Sequence, residues 1–412
     1  MLHPATLYGV PRFEPFPALR YLTSSSVDIT AVTSPPYDVF DESVRATYAK
    51  HHPHNIVALD YPIESDGPGR YQECATTLAD WVSSGVLVTD DQPSFSIYRM
   101  TFTDEAGNSR TTIGVIGALE VVDEGSGGVL PHERTTPKAK TDRLDLTRAT
   151  QTNLSPVWGL SLSSGLTDLL RDPAETIATC TDEDGVFHQI ERVTDPLRVA
   201  AISQCVSAQP VLIADGHHRY AISRTYRDEQ RQRQTGAQHN GAADVELTMT
   251  YVGELVDEQL SVAAIHRLYN NISADELITA LSPHYDTSDA GQVSPHTISH
   301  MSTHGVLCIV RPDGSGVYLH PKEDTFTGVR ALDSARLEHA LEKTPHDVNY
   351  QHGVTDVLAR LAAGEAECAI LIRPVSLEEI QRTAHTGELM PPKSTFFTPK
   401  LRTGLVMRQM RA

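Results

Sequence analysis

One junction constrains this chain more than any other stretch of it. Pro210 to Ala214 is an apolar run bounded by turn residues, and Tyr220 to Gln232 places Ile222 and Tyr226 four apart, the spacing of a buried helix face. Between them stands Asp215-Gly216-His217-His218-Arg219. A strand that turns at a glycine into a helix leaves the first helical N–H groups and the positive end of the dipole exposed, which favours an anion. Gly216 permits close approach of a ligand to the backbone. His217, His218 and Arg219 add donors for phosphate oxygens, and Asp215 can hold Mg2+ or orient a histidine. The bland alternative is a tight turn whose histidines satisfy neighbouring backbone.

An anion here must be captured locally, because 34 Lys plus Arg face 53 Asp plus Glu and the net charge is -19. Such a field repels polyanions and speaks against a nucleic-acid partner. At 412 residues, 40% hydrophobic, the chain exceeds what one core usually serves, so two or three lobes are expected. The five cysteines lie far apart with no C-x-x-C, which suits reduced thiols in a cytoplasm rather than a disulfide or zinc scaffold. The N-terminus lacks a signal-peptide pattern and no window approaches ~18 continuous apolar residues, so a cytoplasmic chain without a membrane span is expected.

Residues 69 to 84 repeat apolar side chains at helical spacing and stop at Gly85, and a strand-like Val86-Leu87-Val88 follows. Ser94 to Thr103 and Arg110 to Val122, around a polar turn, predict a hairpin. Later, Val354 to Ala363 predicts a helix, Cys368 to Ile372 a buried strand, Ser376-x-x-Glu379 a capping box, and Gly404 to Met407 a final strand. The Gln-rich stretch from Gln230 to Gly241 reads as a helix end running into a loop. The fold class expected is α/β with mixed sheets: an N-terminal lobe over 1–122, a central lobe over 123–250 and a C-terminal α/β lobe over 251–412.

Two further clusters carry chemistry. His132-Glu133-Arg134-Thr135, after a glycine-rich break, puts a carboxylate between a histidine and an arginine, so Glu133 is a candidate general base. A zinc site built from His132 and the downstream histidines lacks any fixed-spacing ligand pair. His51-His52-Pro53-His54 looks like a metal tract but reads as solvent-facing histidines at a helix end. Lys393 and Lys400 flank an aromatic and threonine-rich segment and either reach phosphates or decorate the surface. Neither a P-loop nor a dinucleotide fingerprint is present.

Four separated motifs occur in order: Pro35-Pro36-Tyr37-Asp38-Val39, Pro131-His132-Glu133-Arg134-Thr135, Ile213 to Tyr220, and Met390-Pro391-Pro392-Lys393-Ser394-Thr395 with Pro399-Lys400. With them the chain resembles, over nearly all its length, a widespread bacterial family of unknown function related to the ParB and sulfiredoxin fold, one that includes free-serine kinases. The resemblance implies a ParB-like central lobe and a kinase that phosphorylates a small hydroxyl compound, L-serine foremost, with ATP or ADP and Mg2+. It implies that a histidine-glutamate pair supplies the base, so that Glu133 and Asp215 are the catalytic candidates. Gly216, His217, His218 and Arg219 would then cradle phosphates, with His132, Arg134, Thr135 and Lys393 as further substrate or phosphate contacts and Asp215 toward Mg2+. In the kinases the two central motifs stand closer together than here, where residues 136 to 214 intervene, which leaves the acceptor pocket unassigned. Sulfiredoxin chemistry needs a cysteine in the phosphate-binding turn, and this turn has none. DNA partitioning needs a basic helix-turn-helix region that a chain at -19 does not show. The alternative is a non-catalytic nucleotide- or metabolite-binding regulator. Oligomeric state is open.

Overall fold

The computed structural model describes residues 9–23, 27–104, 108–133, 140–234 and 244–410. Two sheets organise it, and the class is mixed α/β. The larger has nine strands: β1 (Phe13–Glu14), β2 (Phe95–Thr103), β3 (Ser109–Glu120), β4 (Val129–Pro131), β5 (Val157–Ser161), β6 (Glu175–Thr181), β7 (Phe187–Val193), β8 (Val211–Asp215) and β9 (Leu247–Glu254). Their order is β4-β8-β5-β9-β3-β2-β7-β6, with β1 paired to β3. The sheet is continuous across the division expected after residue 122, since β3 and β4 both belong to it.

Period-two alternation sends side chains to two faces. Ile97, Val115, Leu119, Val211, Ile213 and Val252 face the helices Leu166–Arg171 and Pro196–Val206. Tyr98, Met100, Ile116, Leu212, Ala214, Met249 and Tyr251 face the other way, against the N-terminal segment and the helix Arg70–Ser83. Met390, Phe397, Leu401 and Met407 join that second core, so the end of the chain returns to the first sheet.

The second sheet has six strands: β10 (Ile265–Asn270), β11 (Tyr285–Gln292), β12 (Leu307–Val310), β13 (Ser315–Pro321), β14 (Asp347–His352) and β15 (Cys368–Leu371), in the order β11-β13-β12-β15-β10-β14. All of its pairings are antiparallel. The expected hairpin is β2–β3 and the expected strand and helix of 354–372 are present. Ser376 caps the helix Leu377–Thr386 by accepting from Glu379 N, while the Glu379 carboxylate bonds Arg330 Nε at 3.0 Å. The strand expected over 404–407 is instead one bridge, Leu19 to Met407, followed by Arg408–Gln409 paired with Thr152–Asn153. This segment is pinned by burial of Leu405, Val406 and Met407 rather than by a ladder. Around the histidine tract, His51 is exposed, whereas His54 packs edge-on against Trp81 at 5.3 Å. No helix among the described residues is long and apolar enough to cross a membrane.

Candidate functional site

The site begins with a parallel ladder. β4 pairs with β8, placing Val129 opposite Val211 and Pro131 opposite Ile213. That offset is 82 positions (213 minus 131), and it is also the offset between Glu133 and Asp215 (215 minus 133). Glu133 follows β4 and Asp215 ends β8, so the two carboxylates lie at the carboxyl ends of neighbouring strands, near enough for the charge of Asp215 to act on Glu133. On its other side β8 carries a register shift between Ile213 and Asp215 against β5, a bulge of the kind that re-aims a side chain.

The junction after β8 is tighter than its sequence suggests. Asp215 still belongs to the strand, Gly216 alone makes the turn at φ +82, and His217 opens the helix His217–Gln234, three residues before the expected start. A β-carbon on Gly216 would meet Arg219 Nε at 3.0 Å, and a positive φ is strained for any side chain, so glycine is required twice over. His217 and Arg219, two positions apart in the first helical turn, send their side chains to different neighbours. His217 turns to His132, with rings 4.8 Å apart, and its Nε2 accepts from His132 N at 3.4 Å. The Arg219 guanidinium is withdrawn. It bonds Pro156 O, lies 3.4 Å from Asp215 Oδ2 and 3.9 Å from Asp38 Oδ2, and leaves its Nε without a partner.

His132 is 1% exposed, with Nδ1 2.6 Å from the Ile213 carbonyl and Nε2 2.7 Å from Thr395 Oγ1. A carbonyl can only accept, so Nδ1 carries the proton and Nε2 accepts from the hydroxyl. Burial holds both imidazoles neutral, His132 down to about 4 and His217 down to about 3. At 3.8 Å from Glu133 Oε2, His132 Nε2 has no proton to offer the carboxylate and serves as a rigid prop.

Glu133 differs from everything around it. Burial pushes its carboxyl up to about 7, and the negative charge of Asp215 adds to the rise. The Ser394 N–H at 3.4 Å, Lys393 and Lys400 oppose it without cancelling it. Asp215 moves the other way. Burial works to raise it, but Lys400, Arg219 and the Gly216 N–H hold it well below the carboxylate range. Lys400 Nζ donates to Asp215 Oδ2 at 3.2 Å, and Gly216 N donates to Oδ1 at 2.8 Å.

The C-terminal motif fastens this corner. Met390 N donates to His132 O at 2.9 Å, Glu133 and Met390 form a parallel bridge, and Lys393 takes φ +59 to present Ser394 N. The N-terminal motif arrives from another side, with Asp38 at Arg219 and Arg143 stacked over Tyr37 at 3.2 Å. All four motifs therefore meet around β4 and β8. Arg134 and Thr135 lie outside the described residues. Asp38, Ser394 and Thr395 carry contacts to which sequence reasoning gave no role, and Lys400, read there as a phosphate contact or a surface lysine, bonds Asp215. The signal available was their place inside the motifs.

A Mg2+ ion takes one or two carboxylates together with phosphate oxygens and water. Both Asp215 oxygens already accept from the chain, and no group of three or more His, Cys, Asp or Glu among the described residues could hold a metal. The side chains present do not fit a protein-held Mg2+.

The sequence profile of the family described as "Protein of unknown function (DUF1015)" matches residues 13–335. No curated protein matches the chain. Among solved structures, the chain is similar to a free serine kinase in complex with AMP, at 12% identity over 69% of this chain and 88% of that one, with a TM-score of 0.37. It is also similar to a conserved hypothetical protein from Pyrococcus furiosus (13% identity, 67% and 92% covered, TM-score 0.35). A third is SbnI with C-terminal truncation from Staphylococcus aureus (12% identity, 72% and 87% covered, TM-score 0.36).

Proposed function

This chain belongs to the DUF1015 family, and we propose that it is a kinase that moves a phosphoryl group from ATP or ADP to the hydroxyl of a small compound, free L-serine foremost. The observation that carries the reading is Glu133, a carboxyl pushed up to about 7 just beyond the end of β4, under the charge of Asp215 at the end of the neighbouring β8, from which a helix starts after one glycine. A base poised near the working pH and a neighbouring anion site are what alcohol phosphorylation asks of a protein. In the proposed step Glu133 takes the hydroxyl proton as that oxygen bonds to the terminal phosphorus. The bond from phosphorus to the bridging oxygen breaks, and the nucleotide leaves one phosphate shorter. The first-turn N–H groups of His217–Gln234 with Lys393 and Lys400 answer the phosphate charge. Mg2+ enters this reading only as an ion carried in by the nucleotide.

Asp215 and Arg219 are engaged with each other and with Lys400, and that favours a second reading in which the site binds a nucleotide or metabolite and regulates. One experiment separates the two. Purified protein is incubated with Mg2+, ATP or ADP, and a pool of L-serine and other hydroxy compounds, and phosphorylated products are sought by mass spectrometry. O-phosphoserine supports the kinase. A thermal shift with nucleotide but no product supports the regulator, and neither signal from any mononucleotide at millimolar concentration would remove both.

A further inference from the structure

Between the two sheets lies a groove of about 1250 Å³ that reaches the site through Lys400, which lines it and also bonds Asp215. On its wall stands a stack of rings. His352, the last residue of β14 in the second sheet, lies parallel to Phe396, with centroids 4.3 Å apart and planes 15° apart. Phe396 is fixed by the short ladder that pairs Val262–Ala263 with Phe396–Phe397, and Lys400 Nζ sits over the Phe396 ring at 4.2 Å. The His352 ring is exposed and borders the groove, and partial burial keeps it below its ordinary pKa, a neutral aromatic surface at pH 7. The same groove is lined by the hydroxyls of Ser261 and Thr398, which bond each other at 2.9 Å, and of Ser376, whose oxygen caps a helix and whose proton can still be donated to the edge of a planar ring.

We infer that the exposed face of His352, backed by Phe396, seats the purine base of the nucleotide, with Lys400 marking the path from base to phosphates at Asp215 and Gly216. The second sheet is then the base-recognition wall of a site whose phosphate end belongs to the first. This rests on the nucleotide reading above. It goes beyond that reading by assigning the base to residues that the phosphate chemistry never uses. A neutral ring with an open face and adjacent hydroxyls is how base–aromatic recognition works, and stacking of this kind gives roughly tenfold or more in affinity per base.

Calorimetric titration of the full chain with ADP and with inorganic pyrophosphate tests it. The wild type should bind ADP more tightly than pyrophosphate. His352→Ala, at an exposed edge-strand position, should weaken ADP about tenfold and leave pyrophosphate unchanged, and His352→Trp should restore or exceed the wild-type ADP affinity. Unchanged ADP affinity in His352→Ala overturns the inference. So does equal wild-type affinity for ADP and pyrophosphate, which leaves the phosphate site standing without a base seat. If neither ligand binds, the nucleotide reading falls and takes this inference with it.

Discussion

Beside the six-stranded sheet, Asp333 receives three N–H groups from Arg373: the backbone N at 2.9 Å, Nε at 3.0 Å and Nη2 at 2.6 Å. At the edge of the nine-stranded sheet, Glu133 receives one, from Ser394 at 3.4 Å, and its histidine neighbour accepts rather than donates on the side that faces it. Asp333 is buried and Glu133 mostly so, with side chains 8% and 19% exposed. The three N–H groups on Asp333 tie the start of the helix Asp333–Leu341 to the chain just beyond β15. Glu133 is compensated poorly, so its proton is exchangeable near neutrality. What separates a structural carboxylate from a reactive one here is the number of N–H groups aimed at it, more than burial.

That contrast breaks first at turnover. Glu133→Gln keeps the shape and removes the basicity, and should lower kcat by roughly 10²-fold or more while nucleotide affinity stays near wild type. Steady-state kinetics and calorimetry on the same preparation check both halves, and full activity in this variant would transfer the role of base to Asp215.

Asp333→Ala should do the reverse. It strands Arg373, whose side chain is 28% exposed, so the cost should be about 2 to 3 kcal/mol of stability, below the range for fully buried pairs. Turnover per folded molecule should not change. Urea unfolding beside activity assays at low temperature reads this, and a loss of kcat without a loss of stability would erase the distinction between the two carboxyls.

Stability against pH sharpens the comparison further. Glu133 moves from 4.5 to about 7 on folding, so the folded state holds the extra proton and this group loses stability as pH rises from about 4.5 through 7. His132 and His217, depressed to about 4 and about 3, act with the opposite sign and lose stability as pH falls through about 6.5 toward 4. Asp215, also depressed, loses stability on further acidification. Glu133→Gln should therefore be more stable than wild type at pH 7.5, by an amount on the order of 1 to 2 kcal/mol, with the gap closing below about pH 4.5. A constant gap across pH would mean that Glu133 is not the titrating group.

The smallest effect concerns Lys400, which lowers the Glu133 pKa from a distance. Lys400→Met should move the midpoint of the kcat profile upward by roughly half a unit, the scale of one partly screened charge. No movement, or movement to lower pH, would separate Lys400 from the base.

Much of the frame was legible in the sequence because it rests on local pattern. The β2–β3 hairpin, the helix Arg70–Ser83 and the strand Val211–Asp215 each carry enough alternating or helical spacing to identify themselves. β4 did not, since three residues ending in proline hold no period, and its partner lies 82 positions away. The helix after Gly216 starts earlier than its spacing suggests because a single glycine joins it to the strand, with the Asp215 carboxylate turned back onto the glycine N–H. Lys393 and Lys400 could not be decided from sequence, because their meaning depends on the chain's end folding back onto the first sheet, a packing event with no local signature. The groove is likewise invisible in one dimension, drawing its walls from several distant stretches.

The parallel ladder between β4 and β8 brings the chain ends that carry Glu133 and Asp215 side by side, independently of how much chain runs between them. Residues added or removed in the loops of that interval, outside β5, β6, β7 and the helices packed on them, leave the two carboxyls where they are. A one-residue slip of Val129–Pro131 against Val211–Asp215 would turn Glu133 to the opposite face. The loops of this interval can therefore change length without moving the two carboxyls, whereas the three short residues of β4, which look in the sequence like nothing in particular, cannot shift.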